Sequence, residues 1–293
     1  VMFLSALVAT AVLLPRPQHH LQPLRRARPL TSVRVFDRLF GGGAMTAMPS
    51  NFRALGAGER APSWADIRVR ASATATGRRL AEQDDLRAKG EGKPHRAARL
   101  RLFGHDPEDV RITLYRDSAA WCPYCQKVWM QLEEKRVPYR VELINMRSYG
   151  DKPATFLQKV PGGLLPAIEL DGQLHTESLV IMQLIERAFP EAPSLLPADD
   201  AGLARANELL QLERQLFRDW CGLCFRPGLG GQGAFERSLD AVERALGEAP
   251  GPWLLGGEGP SLVDLQYVSH VERMAASLPY WKGLVLRGTE EAR

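Results

Sequence analysis

The sequence predicts an α/β domain followed by an all-helical domain, both behind a long leader with no fold of its own. Three observations carry this. Between residues 109 and 190, alternating apolar and polar runs of strand length interleave with segments of helical spacing. A Pro-rich connection, PEAPSLLPAD at 190–199, then closes the strand signals, and only helical periodicity follows. The basic residues, finally, are crowded toward the N-terminal end.

The 293 residues carry 38 Lys and Arg against 34 Asp and Glu, a net +4. That sum joins two unlike parts: residues 1–104 hold 18 basic and 7 acidic residues, +11, so residues 105–293 sum to −7. A net-acidic body argues against nucleic acid as a partner, because a phosphate-binding surface would place its Lys and Arg on the folded domain. Val1–Leu14 is the only long apolar run. It is shorter than the roughly 20 residues that cross a bilayer, so no stable membrane span is expected. Residues 1–60 contain eight Arg, no Lys and two acids, punctuated by Pro and Gly. An apolar run followed by such a stretch has the composition of a targeting leader and suits import into a plastid; without it the expectation is cytoplasmic. The chain begins with Val, and Met45 and Met48 are alternative starts. Residues 61–108 lack sustained periodicity and are expected to be a largely disordered linker with one short helix near Leu80–Ala88.

Order is expected from 109, in a domain spanning 109–190. Asp109–Tyr115 alternates as a strand, and the segment from Cys122 to Lys135 is a helix with Val128, Trp129 and Leu132 on its buried side. Val137–Met146 is a second strand and Pro153–Lys159 a short helix. Leu164–Leu170 and Gln173–His175 flank Asp171-Gly172, a dipeptide suited to a two-residue hairpin turn. Ile181, Met182, Leu184, Ile185 and Ala188 then form the apolar side of a helix ending before Pro190.

Four cysteines occur as two Cys-x-x-Cys pairs, Cys122/Cys125 and Cys221/Cys224. Pro123 suits the first turn of a helix, where its missing N–H leaves no bond unmade, and so puts Cys122 at the helix N-terminus. Unpaired N–H groups there favour an anion and lower a thiol pKa from ~8.5 to between ~3.5 and 7.5. Cys122 is thus a candidate nucleophile, and Cys125, one turn on, could attack a mixed disulfide formed on it. Half of a zinc site is the competing reading. A strand before the pair, Pro within it and a long helix after it favour redox chemistry, and no metal is expected. Cys221 and Cys224, at helical spacing, read first as packed residues, with a regulatory disulfide or a metal pair as the alternatives.

The order βαβαββα with Cys-Pro-Tyr-Cys at the first βα turn resembles a thioredoxin fold of the glutaredoxin and glutathione-transferase kind. Leu165-Pro166 resembles the apolar and cis-proline pair of that superfamily, and Glu177-Ser178 its acidic-Ser pair. Ala119–Trp129 with Tyr149-Gly-Asp-Lys-Pro153 is most similar to plastid glutathione-transferase-like proteins of plants and algae. The resemblance implies glutathione as co-substrate. The Leu165 backbone would bond its cysteinyl part, Glu177 and Ser178 its γ-glutamyl end, and Lys152 its glycyl carboxylate, while Tyr124 would lean over the thiol or simply pack. It also implies a partner substrate that is a disulfide, a glutathionylated thiol or an oxidised small molecule such as dehydroascorbate, and it leaves a homodimer open.

The second domain, 198–293, begins with Leu209, Leu212, Leu216 and Trp220 on one side of a long helix, and Phe235–Leu246 carries another. Ser261-Leu-Val-Asp264 after Trp253-Leu-Leu-Gly256 is a capping box, and it resembles the Ser-x-x-Asp mark of the transferase C-terminal domain. His270 on the capped helix reads as a packed residue. The resemblance implies further helices beyond 284–293, so this end is read as a short variant or a truncation. The expected activity is a glutathione-dependent thiol transfer through Cys122. The competing class is a non-enzymatic protein of the same fold, acting in assembly or on membranes.

Overall fold

A computed structural model describes residues 62–148, 150–226 and 231–286 of the chain. The leader expected over 1–60, Met45, Met48, Tyr149 and the tail from 287 lie outside them. The chain divides into two compact units between Ala81 and Glu82.

Residues 62–108 carry two helices, the second of which includes the expected Leu80–Ala88. Helix α1 (Trp64–Ser72) starts at a capping box in which Ser63 and Asp66 satisfy each other's backbone N–H groups. Helix α2 (Ala75–Ala88) follows Thr74, whose hydroxyl accepts from the Gly77 N–H at 2.9 Å. Neither helix has a buried residue. Their stability comes from caps and good helix formers, and so no apolar periodicity announces them. Strand β1 (Leu100–Arg101) comes next. It is anchored by Arg101, whose guanidinium grips Glu133 at 2.7 and 2.8 Å.

From Ile112 the expected order is present: β2 (Ile112–Asp117), α3 (Pro123–Lys135), β3 (Tyr139–Ile144), α4 (Ala154–Lys159), β4 (Ala167–Leu170), β5 (Gln173–Thr176) and α5 (Ser178–Ala188). The sheet runs β1-β3-β2-β4-β5. β2 and β3 are parallel, joined by α3 as the crossover, and the other pairs are antiparallel. Asp171 and Gly172 both have positive φ, 51° and 79°, the conformation that a two-residue hairpin with right-handed twist requires. The parallel pairing brings the C-terminal end of the central strand β2, and the loop leading to Cys122, to one end of the sheet.

The helical part comprises α6 (Asp200–Phe225), α7 (Gly231–Glu248) and α8 (Leu262–Lys282). One apolar cluster runs through both domains, from Leu114, Val128, Leu132, Ile168 and Ile185 to Leu209, Leu216, Val242 and Tyr267. Polar bonds also tie α3 to α5 within the first domain. Gln131 donates to the Met182 carbonyl and to Glu186, and the Lys135 ammonium reaches Glu186 at 3.1 Å. A smaller cluster of Tyr115, Ile144, Phe156, Val160 and Ala167 seats α4. Among the described residues no helix is long and apolar enough to cross a membrane.

The capping box of α8 is present and does more than cap. Asp264 is almost fully buried; its Oδ2 accepts from the Ser261 N–H and hydroxyl, and its Oδ1 accepts from the Leu254 N–H at 3.0 Å. It ties the preceding loop to the helix start. Asp264→Ala is expected to cost about 3 kcal/mol, a lost cap plus a stranded buried N–H. The exposed cap variant Asp199→Ala should cost about 1 kcal/mol. Urea midpoints at unchanged slope measure both; equal losses would show that the Leu254 bond adds nothing.

Candidate active site

The loop before Cys122 is folded around Asp117, the last residue of β2, whose side chain is fully buried. Its Oδ2 accepts from the Trp121 N–H at 2.6 Å and the Cys122 N–H at 3.1 Å, and its Oδ1 from the Ala119 N–H at 3.1 Å. Arg116 beside it lies flat over Trp129, 4.2 Å from the ring centroid, and donates to the backbone carbonyls of Asp117 and Arg96. On the outer side Arg273 of α8 donates to the Trp121 carbonyl and to Gln126. The chain therefore reaches α3 on a fixed path, with Cys122 at the N-cap and Pro123 in the first turn.

Cys122 and Cys125 are both buried and both reduced. The Cys122 sulfur takes hydrogen bonds from the Cys125 thiol and from the N–H groups of Tyr124 and Cys125, which together bring its pKa down to about 7 against burial and the Asp117 charge. About half of it is therefore thiolate at pH 7. Cys125, more deeply buried and facing that thiolate, is pushed well above the ordinary thiol range. The pair thus has one thiol drawn toward ionisation and one held protonated.

Leu165-Pro166 is a cis peptide bond. The Leu165 carbonyl lies 3.9 Å from the Cys122 sulfur, which brings the two predicted residues together. Glu177 is the N-cap of α5, held at φ 66°, a left-handed conformation rare for a non-glycine residue, and Ser178 opens the helix. Glu177, Ser178 and Tyr124 share a cavity of about 550 Å³ with Lys127, Glu213 and His270. Tyr124 packs edge-on against Phe217 and His270, with ring centroids 6.2 and 5.5 Å away. Lys152 stands apart from that cavity, near Gly163 in the loop before the cis bond. Its ammonium is buried 5.9 Å above the Phe156 ring and has no hydrogen-bond partner among the described residues. An unpaired buried cation is costly, and a carboxylate there would relieve the cost.

A larger cavity of about 720 Å³ opens beside Cys221, walled by Arg218, Arg226 and Arg237. Its chemistry is different, since burial pushes the thiols of Cys221 and Cys224 up and both pack against the core. Among the described residues no group of three or more His, Cys, Asp and Glu is placed to hold a metal.

Sequence reading missed Asp117, Lys127 and Glu213, and saw His270 as a packed residue without its partners. For Glu213 a signal existed: it falls on the stripe formed by Leu209, Leu216 and Trp220, all buried, where a lone acid needs a partner.

Comparison with known proteins agrees with this fold. The family model described as "Glutathione S-transferase, N-terminal domain" matches residues 121–188, and "Glutathione S-transferase, C-terminal domain" matches 185–291. Pyrimidodiazepine synthase of Drosophila melanogaster is 34% identical over 173 residues, 57% of this chain and 67% of that protein. Glutathione S-transferase DHAR2 of Arabidopsis thaliana is 30% identical over 164 residues, 55% of this chain and 70% of that protein. Among solved structures, glutathione transferase Omega 3C from Trametes versicolor aligns with a TM-score of 0.50 at 31% identity, covering 64% of this chain and 81% of that one. The two matches run without a gap from the cysteine motif through the last helix, and the chain therefore belongs to the glutathione S-transferase family of enzymes.

Proposed function

We propose that the protein is a glutathione-dependent thiol transferase with Cys122 as its nucleophile. The observation that carries this reading is the Cys122 sulfur at the N-cap of α3, bonded by the Cys125 thiol and two N–H groups, and half ionised at neutral pH. A transferase that only activates the glutathione thiol needs a hydroxyl donor at this place; a thiolate there forms mixed disulfides instead.

In the first step the Cys122 thiolate attacks a disulfide or glutathionylated thiol. An S–S bond forms to Cys122, the old S–S bond breaks, and the leaving thiolate takes a proton. A glutathione thiolate then attacks the sulfur carried on Cys122, freeing the Cys122 thiolate; the product is glutathione disulfide where Cys122 carries glutathione, and otherwise the mixed disulfide of glutathione with the substrate thiol, which a second glutathione reduces to glutathione disulfide and the free thiol. Cys125 could resolve the intermediate by the same exchange, but its raised pKa keeps it protonated, which favours glutathione in that role. Glutathione would lie along the Leu165 backbone beside cis-Pro166. Its γ-glutamyl end would meet Ser178, the start of α5 and Glu177, and its glycyl carboxylate the unpaired Lys152 ammonium. Dehydroascorbate, reduced by two such thiol equivalents, belongs to the same substrate class. The Arg-rich, acid-poor composition of residues 1–60 supports plastid import.

Two measurements test the reading. The rate of Cys122 alkylation by iodoacetamide should rise with pH about a midpoint near 7, and Cys125→Ala should move that midpoint upward by removing the thiol donor. A midpoint at the free-cysteine value in the unaltered protein would sink the mechanism. Lys152→Ala should raise KM for glutathione about tenfold or more while kcat changes little, as expected for a lost charge-assisted bond; an unchanged KM would remove Lys152 from the site.

A further inference from the structure

The cavity beside Tyr124 contains a buried charge cluster that exchange at Cys122 does not use. Lys127 from α3, Glu213 from α6 and His270 from α8 are each no more than 5% exposed. The Lys127 ammonium lies 3.8 Å from Glu213 Oε1, and His270 Nδ1–H donates to the same oxygen. An ionised carboxylate only accepts, so the proton of the neutral ring sits on Nδ1, and Nε2 carries a lone pair. That Nε2 is buried and has no partner among the described residues. Phe217 stacks on the ring at 4.0 Å and Tyr124 meets it edge-on, so the imidazole is clamped in this orientation.

The charged groups facing the ring are Lys127 from α3, Glu213 from α6, and Arg273 on its own helix; Arg214 and Glu177 complete the polar wall of the cavity. Burial, Lys127 and Arg273 hold the imidazole below its ordinary pKa despite Glu213, so it is neutral at pH 7. The charge of Cys122 reaches both Lys127 and Tyr124, which places the thiol near the same wall. A buried acceptor with no protein partner is a standing cost that a ligand hydroxyl can remove.

Resting on the thiol-transfer reading, we propose that His270 is a substrate-orienting residue: its Nε2 accepts a hydrogen bond from a hydroxyl of a small oxidised substrate seated in this cavity with its reducible group toward Cys122. The protein then prefers hydroxylated oxidants over apolar ones of equal size, since a site built around a polar partner discriminates strongly against the analogue that lacks it.

Bis(2-hydroxyethyl) disulfide and dipropyl disulfide form a matched pair, alike in the reacting bond and near in size. With the full chain and glutathione, the hydroxylated member should be favoured in kcat/KM by about tenfold. His270→Asn keeps an N–H donor toward Glu213 and deletes the Nε2 position; it should abolish that preference, the loss falling on KM for the hydroxylated disulfide, while the Cys122 alkylation midpoint stays near 7. His270→Gln, which restores a polar atom near the Nε2 position, should recover part of the preference. Equal losses on both disulfides in the Asn variant, or no loss on either, would overturn the role of His270 while leaving thiol transfer intact. Failure of the unaltered protein to reduce either disulfide would overturn thiol transfer, and the orienting role with it.

Discussion

The Cys122 thiol is placed by its loop, and that loop is folded around the buried carboxylate of Asp117. Three backbone N–H groups, from Ala119, Trp121 and Cys122, converge on this one side chain. Without an acceptor the N–H of the buried Cys122 would be stranded and the turn through Ala119 and Trp121 would lose its anchor. The carboxylate sets the path on which the chain enters α3, and through it the approach of Cys122 to the Tyr124 and Cys125 N–H groups. Positions farther away, such as the Leu165 carbonyl across the groove, matter to chemistry only because this loop puts the sulfur within 3.9 Å of them.

The same carboxylate works against the thiolate, since its charge raises the pKa of both cysteines. The helix start and the Cys125 thiol outweigh it at Cys122, where they act at hydrogen-bond range. At Cys125 burial wins instead. One structural charge, one helix terminus and a difference in depth thus push the pKa values of two chemically identical side chains in opposite directions, which is how a pair of titrating groups can take distinct roles.

The parts of this arrangement that were legible in the sequence are those carried by local pattern. Pro123 after Cys122, the Asp171-Gly172 turn and the Ser261–Asp264 box each declare a backbone geometry within a few residues, and the structure has each of them. Alternation located β2 and β3 to within about three residues, because both strands bury a face. What escaped was either unpatterned or nonlocal. Helix α1 and the first turns of α2 bury nothing, so their residues show no apolar rhythm, and only the later part of α2, near Leu80–Ala88, was expected. Asp117 and Glu213 acquire meaning only from residues brought up by the fold: the Glu213 partners Lys127 and His270 are 86 and 57 positions away in the chain, though its place on an apolar stripe was a hint. Lys152 was singled out by resemblance, and its unpaired ammonium became visible only in three dimensions.

The two domains therefore divide the work along the loop they share. The sheet holds the loop from within through Asp117, and that side sets the ionisation of the thiol. The helical domain holds it from outside, where Arg273 donates to the Trp121 carbonyl and Gln126 pairs with both Arg273 and Glu272. Because the cavity next to Cys122 is walled by α3 and the start of α5 on one side and by α6 and α8 on the other, thiol reactivity and substrate fit answer to different residues. Substitutions at 210, 214 or 270 can reshape what enters without passing through the hydrogen bonds that ionise Cys122. Changes at Asp117 reach the sulfur directly, since its carboxylate accepts from the Cys122 N–H itself. This separation is available because the loop is fixed twice, and neither anchor has to yield for the cavity wall to change.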